Sequence, residues 1–242
     1  MNHRFNTIGI VHSPFKEKFG IPRQPGLIPE ACGVLELLPP YDRWEALAGL
    51  ENFSHIWVIF VFHRSLKQDW KSTVRPPRLG GNQRLGVFAT RSTYRPNPIG
   101  QSVVEFKGVS ERDGKPFLRL GGIDLLDGTP VLDIKPYVPY ADAISRAQGG
   151  FAQNTPEAVL KVEFTPEATI ACSRYASETT PDLKKLIIRI LQYDPRPAYR
   201  QKRSDDHNRI FGMRFFNFDL KWRVTRDSLL VLALDDISSK TG

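Results

Sequence analysis

The sequence predicts a mainly-β protein, with an antiparallel barrel or sandwich in the first part and a small α+β unit in the second. Short apolar stretches recur along the first part, with turn signals such as Asp113-Gly114 and Asp127-Gly128 between them. Long helical patterns do not separate these stretches, so βαβ units are not expected. The 19 prolines, 18 glycines and 11% aromatic residues also favour short strands and rigid turns over a helical bundle.

Local patterns predict the elements of the first part. His55–Phe62 is a continuous run of aromatic and β-branched residues, which predicts a strand buried on both faces. Asp42–Leu50 is predicted to be a short helix closed by Gly49. The other predicted strands are Thr7–Val11, Gly33–Leu38, Gly86–Thr90, Gly100–Val109, Phe117–Leu120 and Val131–Ile134.

The second part differs in composition, and the small and polar residues of Ala141–Pro156 predict a linker before it. We therefore expect domains at residues 1–150 and 157–238. Thr179–Leu191 is predicted as a helix with Thr180 as its N-cap and Pro181 in its first turn. Its predicted apolar face consists of Leu183, Leu186, Ile187, Ile190 and Leu191. The remaining predictions are a helix at Pro166–Tyr175 and strands at Val159–Thr165, Arg209–Phe218, Lys221–Thr225 and Leu229–Leu234.

The chain is basic, with a net charge of +8 and a pI near 9.6. The charge is concentrated in Arg64–Arg95 and in Pro195–Arg226, and aromatic residues interleave with the second cluster. Phosphates attract positive charge and unstacked bases stack on aromatic or guanidinium planes, so RNA is a reasonable partner. The alternatives are a solubilising surface and aromatics, such as Phe215 and Phe218, that only pack a core. Charge alone does not separate RNA from DNA.

Several common sites are not predicted. No apolar run approaches the roughly 18 residues of a membrane span, and the N-terminus lacks the apolar region of a signal peptide. Cys32 and Cys172 are far apart, without metal-ligand spacing. No Gly-x-Gly-x-x-Gly pattern follows a strand and opens a helix, so a doubly wound cofactor site is not expected. These observations predict a cytoplasmic protein with free thiols, no metal and no membrane contact.

The segment Thr90–Gly100 is unusual on physical grounds. Pro96 and Pro98 fix two φ angles and favour extended conformations at Arg95 and Asn97. A stiff loop that carries polar side chains fills a core poorly but holds functional groups in register. The simpler alternative is a proline-rich turn between two strands.

Phe88–Ser102 resembles the signature of the TsaA-like family, and in particular its bacterial TrmO group. Several other segments resemble the family in the same order, so the resemblance covers nearly the whole chain and is specific. These segments are Ile8–Pro14, Lys16–Phe19, Pro22–Leu27, Leu50–His55, Val61–His63, Val74–Gly81, Asp124–Tyr137, Asp194–Arg200 and Trp222–Thr225.

This resemblance implies a single-sheet antiparallel β-barrel that binds S-adenosylmethionine, and a homodimer. It also implies N6-methylation of threonylcarbamoyladenosine at position 37, beside the anticodon of threonine tRNA. Two other functions stay open: a non-catalytic RNA-binding module and a methyltransferase with a different acceptor. The basic second part argues against a free small molecule as that acceptor.

The resemblance also implies which residues contact the cofactor. We expect Arg23 or Arg91 to pair with its carboxylate, and Asp124 to lie on its ribose or sulfonium side. The positions that match the family's cofactor-contacting residues are Pro22, Arg23, Gln24, His63, Arg64, Arg91, Gln101, Gly121, Gly122, Ile123 and Asp124.

Methyl transfer from a sulfonium is an in-line displacement, so alignment is the main contribution expected of the protein. Asp127, Asp133 and His63 are candidate bases, and Asn97 and Tyr94 suit orienting hydrogen bonds. Asp127 can equally be a turn residue, and His63 can simply follow a buried strand.

Substrate contacts are expected from cationic and aromatic side chains. Arg95, Arg196 or Lys135 suits the threonyl carboxylate of the implied substrate, and Arg196, Tyr199 and Arg200 suit tRNA. Our hypothesis is that the segment Asp194–Arg200, stiffened by prolines, folds over the active site and helps to select the anticodon loop.

Overall fold

The structure is a computed structural model that describes residues 3–66, 69–158, 160–177, 180, 182–196, 209–225 and 228–237. The predicted mainly-β class is confirmed, since twelve strands and three α-helices lie in this part of the chain. The helices are α1 (Pro139–Asp142), α2 (Pro166–Arg174) and α3 (Leu183–Gln192). The strands are β1 (Gly9–His12), β2 (Gly33–Leu37), β3 (His55–Val61), β4 (Thr73–Val74), β5 (Leu85–Gly86), β6 (Ile99–Arg112), β7 (Lys115–Gly121), β8 (Thr129–Pro136), β9 (Lys161–Phe164), β10 (Ile210–Phe215), β11 (Phe218–Val224) and β12 (Ser228–Asp236).

Six strands close into a barrel in the order β1-β2-β7-β6-β3-β8, and every neighbouring pair is antiparallel. Each barrel strand is paired on both sides, which removes the exposed edges of an open sheet. The hairpin of β6 and β7 turns at Asp113 and Gly114, which both have a left-handed φ. An Asp-Gly pair is well suited to this turn, as the sequence predicts.

Strand β3 faces the barrel interior with one side only. Ile56, Val58 and Phe60 are buried, whereas Trp57 and Ile59 between them are partly exposed. The prediction of a strand buried on both faces is therefore wrong. A strand of an antiparallel barrel turns alternate side chains inward, and the outward ones can line a surface site.

Other predicted elements of the first part are shorter than expected. The predicted helix Asp42–Leu50 consists of two 3-10 turns, Trp44–Leu47 and Leu50–Asn52. Gly49 lies between them with a left-handed φ of 87°, which interrupts the helical backbone. In place of the predicted strand Gly86–Thr90, the chain forms β5 and then a 3-10 turn at Val87–Ala89.

The second part forms a four-stranded sheet in the order β10-β11-β12-β9, with β12 and β9 parallel. The apolar face predicted for α3 is buried at Leu183, Leu186, Ile187, Ile190 and Leu191. The predicted N-cap is wrong, because Thr180 bridges to Ser177 instead. Asp182 is the N-cap, and its carboxylate accepts a 2.9 Å hydrogen bond from the backbone N–H of Lys185. Pro181 lies outside the described residues.

The barrel and the second sheet share a hydrophobic core. The rings of Phe15 and Phe215 lie 5.8 Å apart, and Phe19 stacks on Trp222 at the same distance. The backbone N–H of Phe216 donates to the carbonyl of Pro14 at 2.8 Å. The described aromatics of the second basic cluster, such as Phe215 and Phe218, therefore pack a core, as the simpler alternative held.

Candidate active site

A cleft of ≈ 380 Å³ opens where the end of β3 meets the start of β6 and the loops beside them. Both basic and aromatic side chains face this cleft, together with one carboxylate. Its lining residues are Pro22, Arg23, Gln24, Trp57, Phe60, Phe62, Thr90, Arg91, Arg95, Ile99, Gly100, Gln101, Ser102 and Asp124.

The carboxylate of the cleft belongs to Asp124, which follows β7. Its Oδ1 accepts a 2.7 Å hydrogen bond from the hydroxyl of Ser102, a buried residue of β6. Burial raises the pKa of Asp124 to about 6, against the opposing effects of the Ser102 hydrogen bond and the positive charge of Arg91. A carboxyl group with this pKa can both lose and accept a proton near neutral pH.

The basic side of the cleft is formed by the stiff segment that the two prolines predict. Arg91 Nη1 donates a 2.5 Å hydrogen bond to Gln24 Oε1, which links this segment to the loop opposite. Arg95 Nη1 donates to the carbonyls of Thr90 and Ser92 at 3.1 and 3.3 Å. These side-chain to backbone bonds hold the loop in one conformation, so that its guanidinium groups stay beside the cleft.

An aromatic wall faces these arginines. The Trp57 indole N–H donates a 3.1 Å hydrogen bond to Asp142 Oδ2 in α1, and this bond fixes the ring. Phe60 and Phe62 meet edge to face with ring centroids 5.2 Å apart. Gly100 pairs with Phe60 across the strands, and a Cβ at this glycine would overlap the Phe60 ring. Flat apolar rings beside cations suit a ligand with both a purine and a charged group.

Two family models match the chain. The model for the tRNA-methyltransferase O N-terminal domain matches residues 10–143, and the model for the TrmO C-terminal domain matches residues 157–237. The chain belongs to the TrmO family. The resemblance that the motifs indicate is therefore confirmed.

Relatives resemble the chain over nearly its whole length. A tRNA (adenine(37)-N6)-methyltransferase of Escherichia coli K12 is 47% identical over 232 residues, which cover 96% of this chain and 97% of that one. A Pseudomonas aeruginosa protein with the name S-adenosylmethionine-dependent methyltransferase RcsF is 49% identical over 230 residues, 95% of this chain and 96% of its own. The crystal structure of TrmO from Pseudomonas aeruginosa superposes with a TM-score of 0.79, at 43% identity and with 97% and 98% coverage.

The structure brings together six of the cofactor positions that the TrmO resemblance implies and Arg95, which is predicted to contact the substrate. These residues are Pro22, Arg23, Gln24, Arg91, Arg95, Gln101 and Asp124. Sequence reasoning missed the other lining residues, and above all Trp57, Phe60, Phe62 and Ser102. The signal that could find them is the register of β3 against β6, which a single sequence does not give.

Five predicted cofactor positions do not line the cleft: His63, Arg64, Gly121, Gly122 and Ile123. Ile123 is fully buried, and its backbone N–H donates to the carbonyl of Ala31. The carbonyl of Gly122 accepts a 2.8 Å bond from the N–H of Gly26. Gly121 to Ile123 therefore support the loop that carries Arg23 and Gln24, and their direct contact with the cofactor stays a prediction.

His63 and Arg64 form a 3-10 turn after β3, outside the cleft. Lys18 Nζ donates a 3.3 Å hydrogen bond to the carbonyl of Arg64. Burial, together with the positive charges of Arg64 and Lys18, lowers the pKa of His63. The structure thus places a neutral histidine beside a basic turn, and the simpler alternative for His63 accounts for its position.

The predicted catalytic residues also lie away from the cleft lining. Asp127 Oδ1 accepts from the N–H of Ser13 at 2.9 Å, and its Oδ2 pairs with Lys16 Nζ at 2.7 Å. Because both oxygens have partners, Asp127 fixes the loop at Ser13, and a catalytic role for it stays a prediction. Asn97 is exposed, and the Tyr94 ring lies under Lys71 Nζ at 4.5 Å.

One predicted tRNA contact, Arg196, is buried in an ion pair, and its contact with tRNA stays a prediction. Arg196 is only 5% exposed, and its Nε and Nη2 donate to the two oxygens of Asp194, both at 2.8 Å. A buried guanidinium that is paired in this way is not presented to a phosphate. Tyr199 and Arg200 lie outside the described residues, as does the later part of the predicted selecting segment.

Among the residues that the structure describes, no three or more His, Cys, Asp or Glu side chains form a group that could hold a metal ion. In the same part of the chain, no helix is long and apolar enough to cross a membrane.

Proposed function

We propose that the chain is an S-adenosylmethionine-dependent methyltransferase that acts on N6 of adenine 37 in tRNA. The observation that carries this proposal is the TrmO family match along both parts of the chain. The relative from Escherichia coli is named for that activity, and the match covers 97% of its length. The cleft supports the proposal, since cofactor positions implied by the family lie together in it.

The residues present fit the cofactor chemically. We propose that Arg91 or Arg23 binds its carboxylate, because a guanidinium matches a carboxylate with two parallel hydrogen bonds. Gln101 suits a ribose hydroxyl, and the ring of Trp57 suits the adenine. When bound, the cofactor supplies an electrophilic methyl group on sulfur. The protein's own contribution is to hold the acceptor nitrogen in line and to exclude water from the cleft.

For the acceptor we propose threonylcarbamoyladenosine in threonine tRNA, with Arg95 available for its threonyl carboxylate. Arg95 lines the cleft and is held by two carbonyls, so its position is set before a ligand arrives. This preference is tested by comparing modified and unmodified threonine tRNA as substrates. A threonylcarbamoyl group that does not change kcat/KM would exclude this role of Arg95.

We propose that tRNA docks first on the basic segment Arg64–Arg95, whose last part lines the cleft. No described acidic residue forms an ion pair with its exposed cations, and Asp69 is the only acidic residue between Arg64 and Arg95. In the second part, by contrast, Arg214 pairs with Asp219 and Lys221 with Asp235. Unpaired cations bind phosphates without first breaking an ion pair. The exposed cations of this segment are Arg64, Lys71, Arg75, Arg78, Arg84 and Arg91.

Further proposals concern the domains, the oligomeric state and the location of the protein. We propose a barrel domain at residues 1–150, and an α+β domain at 157–238 that contributes to tRNA binding. We also propose a homodimer in the cytoplasm, where tRNA is modified. Equilibrium sedimentation of the full chain tests the dimer, and a single species of 27.5 kDa would contradict it.

The deciding experiment is mass spectrometry of anticodon-loop nucleosides after threonine tRNA is incubated with the protein and the cofactor. We expect the mass of the position-37 nucleoside to increase by one methyl group. If the protein binds tRNA but neither binds the cofactor nor changes that mass, the alternative of an RNA-binding module is correct. If methyl transfer occurs at another nucleotide, the acceptor is wrong while the enzyme class stands.

A further inference from the structure

The cleft contains one group that can accept a proton near neutral pH. Arginine stays protonated at any relevant pH, and glutamine, serine, threonine and tryptophan side chains are not useful bases. Of the described residues that line the cleft, only Asp124 carries a carboxyl group, and none is a His, Lys or Tyr. If proton transfer to the protein occurs in this cleft, Asp124 is the acceptor.

The surroundings of Asp124 suit this role. Ser102 is 2% exposed and belongs to the long strand β6, so its hydroxyl holds the carboxylate in a fixed orientation. The charged groups around the cleft are Arg23, Arg91 and Arg95, which favour the ionised form, whereas burial disfavours it more strongly. A carboxylate with a raised pKa is a stronger base than one on the surface.

We propose that Asp124 is the catalytic base that receives the proton from N6 of the acceptor adenine. This inference rests on the proposed function and goes beyond the family resemblance, which implies only a cofactor contact at this position. The N6–H bond breaks and its electron pair stays on nitrogen, while a bond forms between N6 and the methyl carbon. The bond from that carbon to the sulfur of the donor breaks, and its electron pair stays on sulfur, so that the donor leaves as a neutral thioether. The proton passes to the Asp124 carboxylate, which becomes a neutral acid and later releases it to water. The negative charge of the base and the positive charge on the methyl donor are both neutralised.

A base and a cofactor ligand differ in what a substitution changes. Loss of a base lowers the rate at saturating cofactor and removes its pH dependence, with little change in cofactor affinity. Loss of a ribose ligand weakens cofactor binding, and excess cofactor then restores the rate. Asp124→Asn keeps the shape of the side chain and an oxygen that can accept from Ser102, so this variant can separate the two roles.

The matched control is Asp113→Asn, with the same change of charge at an exposed residue of the β6–β7 turn. Asparagine tolerates the left-handed φ of this turn, so the control should fold. Single-turnover methylation of tRNA is measured with both variants at saturating cofactor, from about pH 5 to about pH 8. We expect Asp124→Asn to lower the rate roughly 100-fold or more and Asp113→Asn to leave it unchanged. The wild-type rate should rise with pH with a midpoint near 6.

A second readout does not depend on turnover. In cofactor-free protein labelled with ¹³C at Asp carboxyl groups, one resonance should titrate near pH 6 and be absent from Asp124→Asn. An ordinary Asp titration near pH 4 would overturn the inference. Recovery of the Asp124→Asn rate by excess cofactor would make Asp124 a cofactor ligand, and unchanged turnover would also overturn its role as base. A wild-type protein that binds cofactor and tRNA but methylates nothing would overturn the proposed function and this inference together.

Discussion

At the scale of single residues, burial and partners decide what a carboxylate can do. Burial in the cleft raises the pKa of Asp124, and the hydrogen bond that it accepts from the Ser102 hydroxyl only partly opposes this effect. Asp127, three residues later, pairs with Lys16 and the backbone of Ser13. A lysine and a backbone N–H occupy its two oxygens, which suits a structural role. Residue type alone does not distinguish the two roles, whereas their partners do.

The hydrogen bond from Ser102 provides a test of this view through the pH profile. This bond lowers the pKa of Asp124 against the effect of burial, so Ser102→Ala should raise that pKa further above 6. The base acts in its ionised form, so full activity should then require a higher pH. The midpoint of the methylation rate against pH should shift upwards. Rates of wild type and Ser102→Ala across the same pH range check this. A lower rate with an unshifted midpoint would show that Ser102 acts only on stability.

The contact between Gly100 and Phe60 makes a second residue-scale prediction. A methyl group at Gly100 would overlap the Phe60 ring, which is part of both the core and the cleft wall. We expect Gly100→Ala to lower the free energy of unfolding by about 1–3 kcal/mol, as overpacking does. Urea unfolding measures it, with Gly86→Ala as control, since that Cβ would have no atom within 4 Å. Equal midpoints for the two variants would contradict the contact.

At the scale of elements, the sequence predicts what depends on local patterns. Most of the strands, the Asp113-Gly114 turn and the apolar face of α3 follow from periodicity and turn chemistry, and the structure contains them. The cleft depends instead on which strand lies beside which, and in what register. The pairing of Phe60 with Gly100 and the reach of Ser102 to Asp124 are such facts. A single sequence does not encode them in any local pattern.

The predicted cofactor positions that lie outside the cleft also depend on contacts that no local pattern shows. Gly122 and Ile123 belong to a motif of the family, yet their backbone groups hold the loop of Gly26 and Ala31. A short motif contains both the residue that faces the ligand and the residues that hold it there. Sequence reasoning cannot separate these two groups, because both are needed for the same site.

The start of α3 gives an element-scale prediction. Asp182 caps the helix by accepting from the N–H of Lys185, and aspartate also favours the positive end of the helix dipole. Asp182→Ala should lower the free energy of unfolding by about 1 kcal/mol. Asp182→Asn keeps an accepting oxygen and should lose less. Chemical denaturation followed by circular dichroism ranks the variants, and an equal loss for both would show that the charge matters and the cap does not.

At the scale of the whole molecule, the two parts differ in how their basic side chains are paired. The barrel part presents the cleft, which Arg91 lines, and other exposed cations such as Arg84. In the second part the basic side chains Arg214 and Lys221 have acidic partners, and Phe215, Phe218 and Trp222 are buried. The second part packs against loops of the barrel. An ion pair between Lys185 Nζ and Glu30 Oε1, at 3.0 Å, also joins the two parts.

This shared packing predicts that the two parts unfold together. Phe15 comes from the first part, is 1% exposed, and packs on Phe215 of the second sheet. Phe15→Ala should therefore lower the free energy of unfolding by about 3–5 kcal/mol, the usual cost of a buried phenylalanine. Hydrogen exchange read by mass spectrometry should show β6 and β11 losing protection to the same extent, since both depend on one core. Phe151→Ala, at a residue 39% exposed, is the control and should change neither strand. If Phe15→Ala exposes β11 while β6 keeps its full protection, the two parts are separate folding units and their contact contributes little to the stability of the barrel.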